Sequence, residues 1–237
     1  MQKILLVGSQ HGNELLGVRL HEYITEKKPE LLKYVEYYCA NPLAFALNKR
    51  FIETDMNRSY TNDSSGYEAE CAKNLVRKIR AGDYLYVIDC HTTTTEVGVC
   101  FIVKERNAAI DRVINAASDI TNIILMKKDI ARLSLLGTNS NVIAVEANEK
   151  IATEETTLSV LLKMIEQLSK NATLEPINRT IYSVDGFIDT TATANLDNVD
   201  LCNFKNYKGS YPVLCGGDTK NRTYRGFWST KQPGVLI

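Results

Sequence analysis

The first two-thirds of the chain switches repeatedly between short apolar runs and longer amphipathic stretches. Lys3–Gly8 is apolar after its lysine and stops at glycine, which predicts a buried strand. Residues 14–27 follow with Leu16, Leu20, Tyr23 and Ile24 at helical spacing. Residues 35–40 predict a second strand, stopped by Asn41-Pro42. Over 68–80, Cys71, Ala72, Leu75, Val76 and Ile79 share one helical face. Strands are expected over 84–90 and 97–103. A helix is expected over 108–120, with Ile110, Val113, Ile114 and Ala117 on one side, and strands over 123–126 and 142–147. The clearest amphipathic helix covers 154–169 and carries Leu158, Leu161, Leu162, Ile165 and Leu168. Strands alternating with helices predict an α/β layer fold with a mainly parallel or mixed sheet.

Beyond about residue 172 the pattern changes. A polar break ends at Pro176, and the remainder is rich in Thr, Asn, Asp, Gly and Tyr without a helical period. Short β-like pieces occur at 180–184, 211–214 and 226–228. This predicts an α/β domain over 1–172 and a small β-rich C-terminal subdomain over 173–237. Composition adds exclusions. Of the 237 residues, 44% are hydrophobic and 24% charged, which is the ordinary globular mix. The 28 basic residues match the 28 acidic ones, so the basic excess of a nucleic-acid binder is missing. No apolar run is long enough for a membrane helix, and the first residues lack the apolar length of a secretory leader. The six cysteines include no Cys-x-x-Cys pair and are expected to be reduced thiols. The expected location is cytoplasmic.

Candidate chemistry gathers at the ends of predicted strands. Gly8-Ser9-Gln10-His11-Gly12-Asn13-Glu14 follows the first strand and sets His11 and Glu14 three residues apart at a turn opening a helix. Side chains so spaced can aim at one point, and an imidazole with a carboxylate makes two ligands of a zinc site. Alone, His-x-x-Glu is more often a solvated helix face. The chain has three histidines, His11, His21 and His91. His91 closes the apolar run 85–91, and in open α/β sheets ligands bind beyond the carboxyl ends of the strands. His11, Glu14 and His91 are therefore expected to meet there, leaving a fourth position to water, the mark of a catalytic zinc. Asp89 alternates with His91 onto one side of its strand. It fits a carboxylate that fixes the tautomer of a ligating histidine; a strand-end cap is the plain alternative. His21 falls on the polar side of its helix, and Cys90 points away from His91 toward the core.

Four motifs in order resemble the aspartoacylase/succinylglutamate desuccinylase family, relatives of zinc carboxypeptidases. Gly8-Ser9-Gln10-His11-Gly12-Asn13-Glu14 resembles its G-x-x-H-G-N-E, and Asn41-Pro42-Leu43-Ala44 its N-P-x-A. Asp55-Met56-Asn57-Arg58 resembles its D-L-N-R, and Asp89-Cys90-His91-Thr92-Thr93 its D-x-H-x-T. The resemblance implies a zinc carboxypeptidase-like three-layer α/β fold with a mixed central sheet. It implies one zinc per chain on His11, Glu14 and His91. It makes Arg50 the stabiliser of the tetrahedral intermediate, and Asn57 with Arg58 the clamp on a substrate carboxylate, which suits the planar two-donor fork of arginine. A glutamate ending a later strand acts as general base in the family. Glu146, closing Val142-Ile143-Ala144-Val145, is the match, with Glu149 as fallback because the usual Gly-Pro after it is replaced by Ala147-Asn148.

The departures bear on substrate. The arginine that aspartoacylases carry ten residues before the base is Leu136 here, and Arg132 is the candidate substitute. Gly216-Gly217-Asp218 followed by Tyr224 resembles the region that supplies a substrate-contacting tyrosine. The implied activity is zinc-dependent hydrolysis of an N-acyl amino acid or similar small amide. The partner is a small anionic substrate rather than nucleic acid or membrane. A zinc carboxypeptidase on short peptides and a non-catalytic metal-binding relative are the alternatives.

Overall fold

The computed structural model describes residues 3–170, 173–189, 201–215 and 224–236. Among these residues the strands are β1 (Lys3–Gly8), β2 (Val35–Cys39), β3 (Tyr84–Thr93), β4 (Val99–Val103), β5 (Asn122–Leu125), β6 (Val142–Asn148), β7 (Asn178–Asp189), β8 (Tyr211–Val213) and β9 (Tyr224–Leu236). They form one mixed sheet in the order β2-β1-β3-β6-β4-β5-β7-β9-β8. The neighbours β2/β1, β1/β3 and β3/β6 are parallel. So are β4/β5 and β5/β7, while β4 runs antiparallel to β6 and β9 antiparallel to β7 and β8. The last three strands thus extend the main sheet.

The helices are α1 (Leu16–Lys27), α2 (Pro42–Ala46), α3 (Tyr67–Ala81), α4 (Ala108–Ala116), α5 (Lys128–Ala131) and α6 (Glu155–Ser169). Central strands covered on both faces read as continuous apolar runs, and β1 shows the consequence. Ile4 and Leu6 enter a core with Leu16, Leu20 and Ile24 of α1, Ile110 and Val113 of α4, and Leu161 and Ile165 of α6. Leu5 and Val7 enter a second core with Ala72, Leu75 and Ile79 of α3. Helices on both faces of the sheet give three layers, the zinc carboxypeptidase-like architecture.

Several elements differ in extent from the sequence pattern, β7 among them, which runs over 178–189 rather than 180–184. The predicted helix over 108–120 ends at Ala116 because buried Arg179 of β7 takes its terminal carbonyls. Its guanidinium donates to Ile114, Ala117 and Ser118 oxygens at 3.0, 3.1 and 3.2 Å. β3 runs on to Thr93, held by Thr92 and Thr93 pairing with Ala147 and Asn148 of β6. β9 is far longer than 226–228 because it pairs along β7 from Tyr224 to Leu236, with register shifts absorbing the irregularities. Among the described residues, no helix is long and apolar enough to cross a membrane.

Candidate metal centre

The turn after β1 is shaped by close approach. Ser9 follows Gly8 at φ 55°, in the left-handed region. Packing requires Gly12: a Cβ there would lie 2.0 Å from the Ala44 carbonyl carbon of α2. Gly17 likewise lets α1 sit on β1, since its Cβ would come within 2.7 Å of Gly8 Cα. These contacts hold the segment between β1 and α1 against the carboxyl end of the sheet, where β3 delivers His91.

There His11, Glu14 and His91 form a buried group whose candidate ligand atoms all lie within 4.8 Å of one another. Exposure is 3%, 4% and 4%. His11 Nδ1 is 2.6 Å from Glu14 Oε1, and His91 Nδ1 is 2.9 Å from Glu14 Oε2. Glu14 also accepts from the Thr92 amide at 3.1 Å and from Arg50 Nη1 at 3.0 Å. Each imidazole turns its other nitrogen outward to a carboxylate: His11 Nε2 to Asp55 Oδ1 at 2.9 Å, His91 Nε2 to Asp89 Oδ2 at 3.1 Å. A carboxylate behind an imidazole holds the ring proton on that outer nitrogen and points the inner lone pair at a metal.

The charges are strongly coupled. Burial alone raises the Glu14 carboxyl, but His11 and His91 outweigh it and hold it well below the usual range. Burial lowers both imidazoles, yet Glu14 and Asp55 raise His11, and Asp89 and Glu14 raise His91 further. Burial likewise opposes ionisation of Asp55, which His11, Arg50 and Arg58 nevertheless hold well below its ordinary value.

Glu146 stands opposite His91 in the β3–β6 ladder. Desolvation pushes its carboxyl up to about 7, with His91 pulling down and Glu14 pushing up. Glu149 is exposed after the strand, its amide donating to Thr93 oxygen. Arg50 bridges Glu14 and Asp55, with Nη2 3.3 Å from Asp55 Oδ2. Asn57 and Arg58 lie in a short 3-10 turn, Met56–Arg58, capped by Asp55. Asn57 Oδ1 accepts from the Leu135 amide at 3.3 Å, and Arg58 Nη1 donates to Asn57 oxygen at 2.8 Å. Arg132 is exposed at the end of α5, on a segment joined to the 55–60 loop by Tyr60 N–H donating to Leu133 oxygen. Leu136 is buried in the core. Residues 216–218 and the Tyr224 side chain lie outside the described residues. His21, half-buried on α1, stacks on Tyr37 with centroids 5.0 Å apart.

In the sequence Asp55 carries no signal beyond opening the Asp-Met-Asn-Arg motif, and Glu68 reads as an ordinary acidic residue in the first turn of α3. Glu68 is fully buried. It accepts from the Ile52, Glu53 and Thr54 amides at 2.6, 3.1 and 3.1 Å and from Asn41 Nδ2 at 3.2 Å. It therefore anchors the loop that carries Arg50 and Asp55.

A three-layer α/β fold with a buried His-Glu-His group at the carboxyl end of its central strands defines a carboxypeptidase-like protein able to hold a metal. The chain belongs to the family described as "Succinylglutamate desuccinylase/Aspartoacylase catalytic domain", whose model matches residues 1–171. An N-acyl-aromatic-L-amino acid amidohydrolase (carboxylate-forming) of Xenopus tropicalis is 31% identical over 116 residues, 44% of this chain and 37% of the relative. A probable aspartoacylase of Trichodesmium erythraeum is 33% identical over 116 residues, 44% of this chain and 39% of the relative. The matched stretch thus spans less than half the length of these relatives. Murine aminoacylase 3 shares the fold at TM-score 0.76 and 20% identity, covering 100% of this chain and 98% of that chain. Succinylglutamate desuccinylase from Chromobacterium violaceum shares it at TM-score 0.74 and 14% identity, covering 98% and 85%.

Proposed function

We propose that this chain is a zinc-dependent amidohydrolase that cleaves an N-acyl amino acid or similar small amide into acid and amine. The observation that carries this is the buried group of His11, Glu14 and His91, with Glu146 in register beside His91. The donor set fits zinc: two imidazole nitrogens and a carboxylate are ligand types it takes, and three protein ligands leave a position open. Bound there, zinc would act as a Lewis acid and lower the pKa of water to about 7.

The chain's own residues then divide the work. Glu146, ionised, takes the proton of the attacking water as the water oxygen bonds to the amide carbon. It passes that proton to the nitrogen as the carbon–nitrogen bond breaks. Its raised pKa suits both halves of the exchange, because a base near 7 also serves as an acid at neutral pH. Arg50, its side chain 37% exposed, stabilises the charge that develops on the carbonyl oxygen. Asn57 and Arg58 orient the substrate through its carboxylate, with Arg132 and Tyr224 as further contacts. Asp89 keeps His91 in the ligating tautomer. Scattered cysteines without paired spacing support a cytoplasmic setting.

The test is turnover by the zinc-loaded protein of a panel of N-acyl amino acids and matching short peptides. The reading expects acyl-amino acids to be cleaved in preference. Preferential peptide cleavage would make the chain a carboxypeptidase, and inertness of zinc-replete protein would make it a non-catalytic metal binder.

A further inference from the structure

The hydrogen bonding behind His91 does not stop at Asp89. Asp89 Oδ2, 3.1 Å from His91 Nε2, also accepts from Gln10 Nε2 at 2.7 Å. Gln10 Oε1 in turn accepts from the Tyr60 hydroxyl at 2.6 Å. Gln10 and Asp89 are 0% and 1% exposed. The second carboxylate oxygen, Oδ1, is buried with no hydrogen-bond partner, so both donors converge on Oδ2. Gln10 Nε2 and His91 Nε2 lie 3.4 Å apart, the spacing of two donors sharing one acceptor. With its proton at Nε2, His91 keeps Nδ1 turned inward toward Glu14.

A glutamine amide has nearly the same shape in its two orientations but opposite polarity, because its oxygen only accepts and its nitrogen only donates. The Asp89 carboxylate, which only accepts, requires Nε2 on its side, and the Tyr60 hydroxyl, donating to Oε1, holds the amide in that place. In the reversed orientation Oε1 would face a carboxylate with no proton between them, and Asp89 would be pushed away from His91.

We infer that Tyr60 and Gln10 are positioning residues for the metal, setting the tautomer and orientation of His91 through Asp89. The inference rests on the metal reading under Proposed function. In this chain of contacts the whole influence of the Tyr60 hydroxyl passes through one amide. Tyr60→Phe removes the hydrogen bond that holds the Gln10 amide against Asp89. In a Gln10→Met background there is no amide left to hold, so Tyr60→Phe adds nothing to the loss of metal affinity. A packing role at two separate places would give additive effects.

The experiment measures zinc affinity by chelator competition for wild type, Tyr60→Phe, Gln10→Met and the double variant, with thermal unfolding of each metal-free protein as a check on folding. The visible absorption of the cobalt-substituted proteins reports the ligand field independently. Tyr60→Phe is expected to weaken zinc about 10-fold, the lower end for loss of an outer partner of a ligating histidine, and to shift the cobalt bands. The double variant is expected to match Gln10→Met. Unchanged affinity in Tyr60→Phe, or an equal further loss in the Gln10→Met background, overturns the inference. Should Tyr60→Phe not fold, Gln10→Met decides alone, and wild-type affinity there overturns it. A wild type that binds no zinc overturns the metal reading and this inference with it. Tight wild-type binding with additive variants overturns this inference alone.

Discussion

His91 and Glu146 are direct partners in the parallel β3–β6 ladder. Partners in a ladder project to the same face of a sheet, so a metal-ligand candidate and a carboxylate pushed up to about 7 stand side by side. Glu146→Gln is expected to keep the fold and the zinc while kcat falls about 10²–10⁴-fold, the range for loss of a general base. Exposed Glu149→Gln should turn over like wild type. A general base works ionised, so kcat/KM should rise with pH through the Glu146 pKa. A pH–rate profile flat across the acidic and neutral range removes Glu146 from the role.

Metal and proton should compete. In metal-free protein the His11 and His91 pKa values lie above the ordinary 6.5. Their contribution to stability is therefore complete below about 6.5 and lost as pH climbs through the raised values. Glu14 and Asp55 are held below their ordinary 4.5 and 3.8, so their contribution is lost as pH falls through the lowered values. Zinc needs the imidazoles deprotonated, so the zinc-dependent gain in Tm should widen as pH rises. His11→Ala or His91→Ala should abolish the gain and most of the bound metal, read by elemental analysis at one zinc per chain for wild type. Parallel Tm curves with and without zinc would contradict the site.

Arg58→Lys tests the carboxylate clamp. Lysine keeps the charge and loses the planar fork. The expected loss is in kcat/KM, at about 1.5–3 kcal/mol for a hydrogen bond to a charged group. A substrate amidated at that carboxylate should be poor for wild type and little worse for the variant, because the contact is already gone. Wild-type kinetics on both substrates would show that Arg58 holds no carboxylate.

Glu68 gathers four donors onto two oxygens. In Glu68→Gln an amide nitrogen must face donors that had a carboxylate oxygen, an unsatisfied buried arrangement worth about 1–3 kcal/mol. Denaturant unfolding should show that loss, and hydrogen exchange should show faster opening at Ile52, Glu53 and Thr54. Glu70→Gln, on an exposed residue of the same helix turn, should do neither. Unchanged exchange at 52–54 would mean that the loop is held by other contacts.

Local pattern sufficed where local physics decides. The apolar runs and helical spacings of 3–169 announced the strands and helices of the three layers, because central strands and amphipathic helices write their burial directly into residue type. The grouping of His11, Glu14 and His91 could be expected for a related reason: two of the three histidines follow apolar runs, which leaves few places for such a cluster. Extent was another matter. Where α4 ends was decided by Arg179, which arrives from a strand some sixty residues later, and β9 owes its length to β7. The outer layer of the site escaped for the same cause. Gln10, Asp55, Tyr60 and Glu68 are polar residues whose spacing carries no period. Their meaning comes from partners such as Asp89 for Gln10, 79 positions away, or from a loop folded back over 14 to 16 residues for Glu68. Only the tertiary structure brings such donors and acceptors within hydrogen-bond reach, and the need to satisfy buried polar groups then fixes what each of them does.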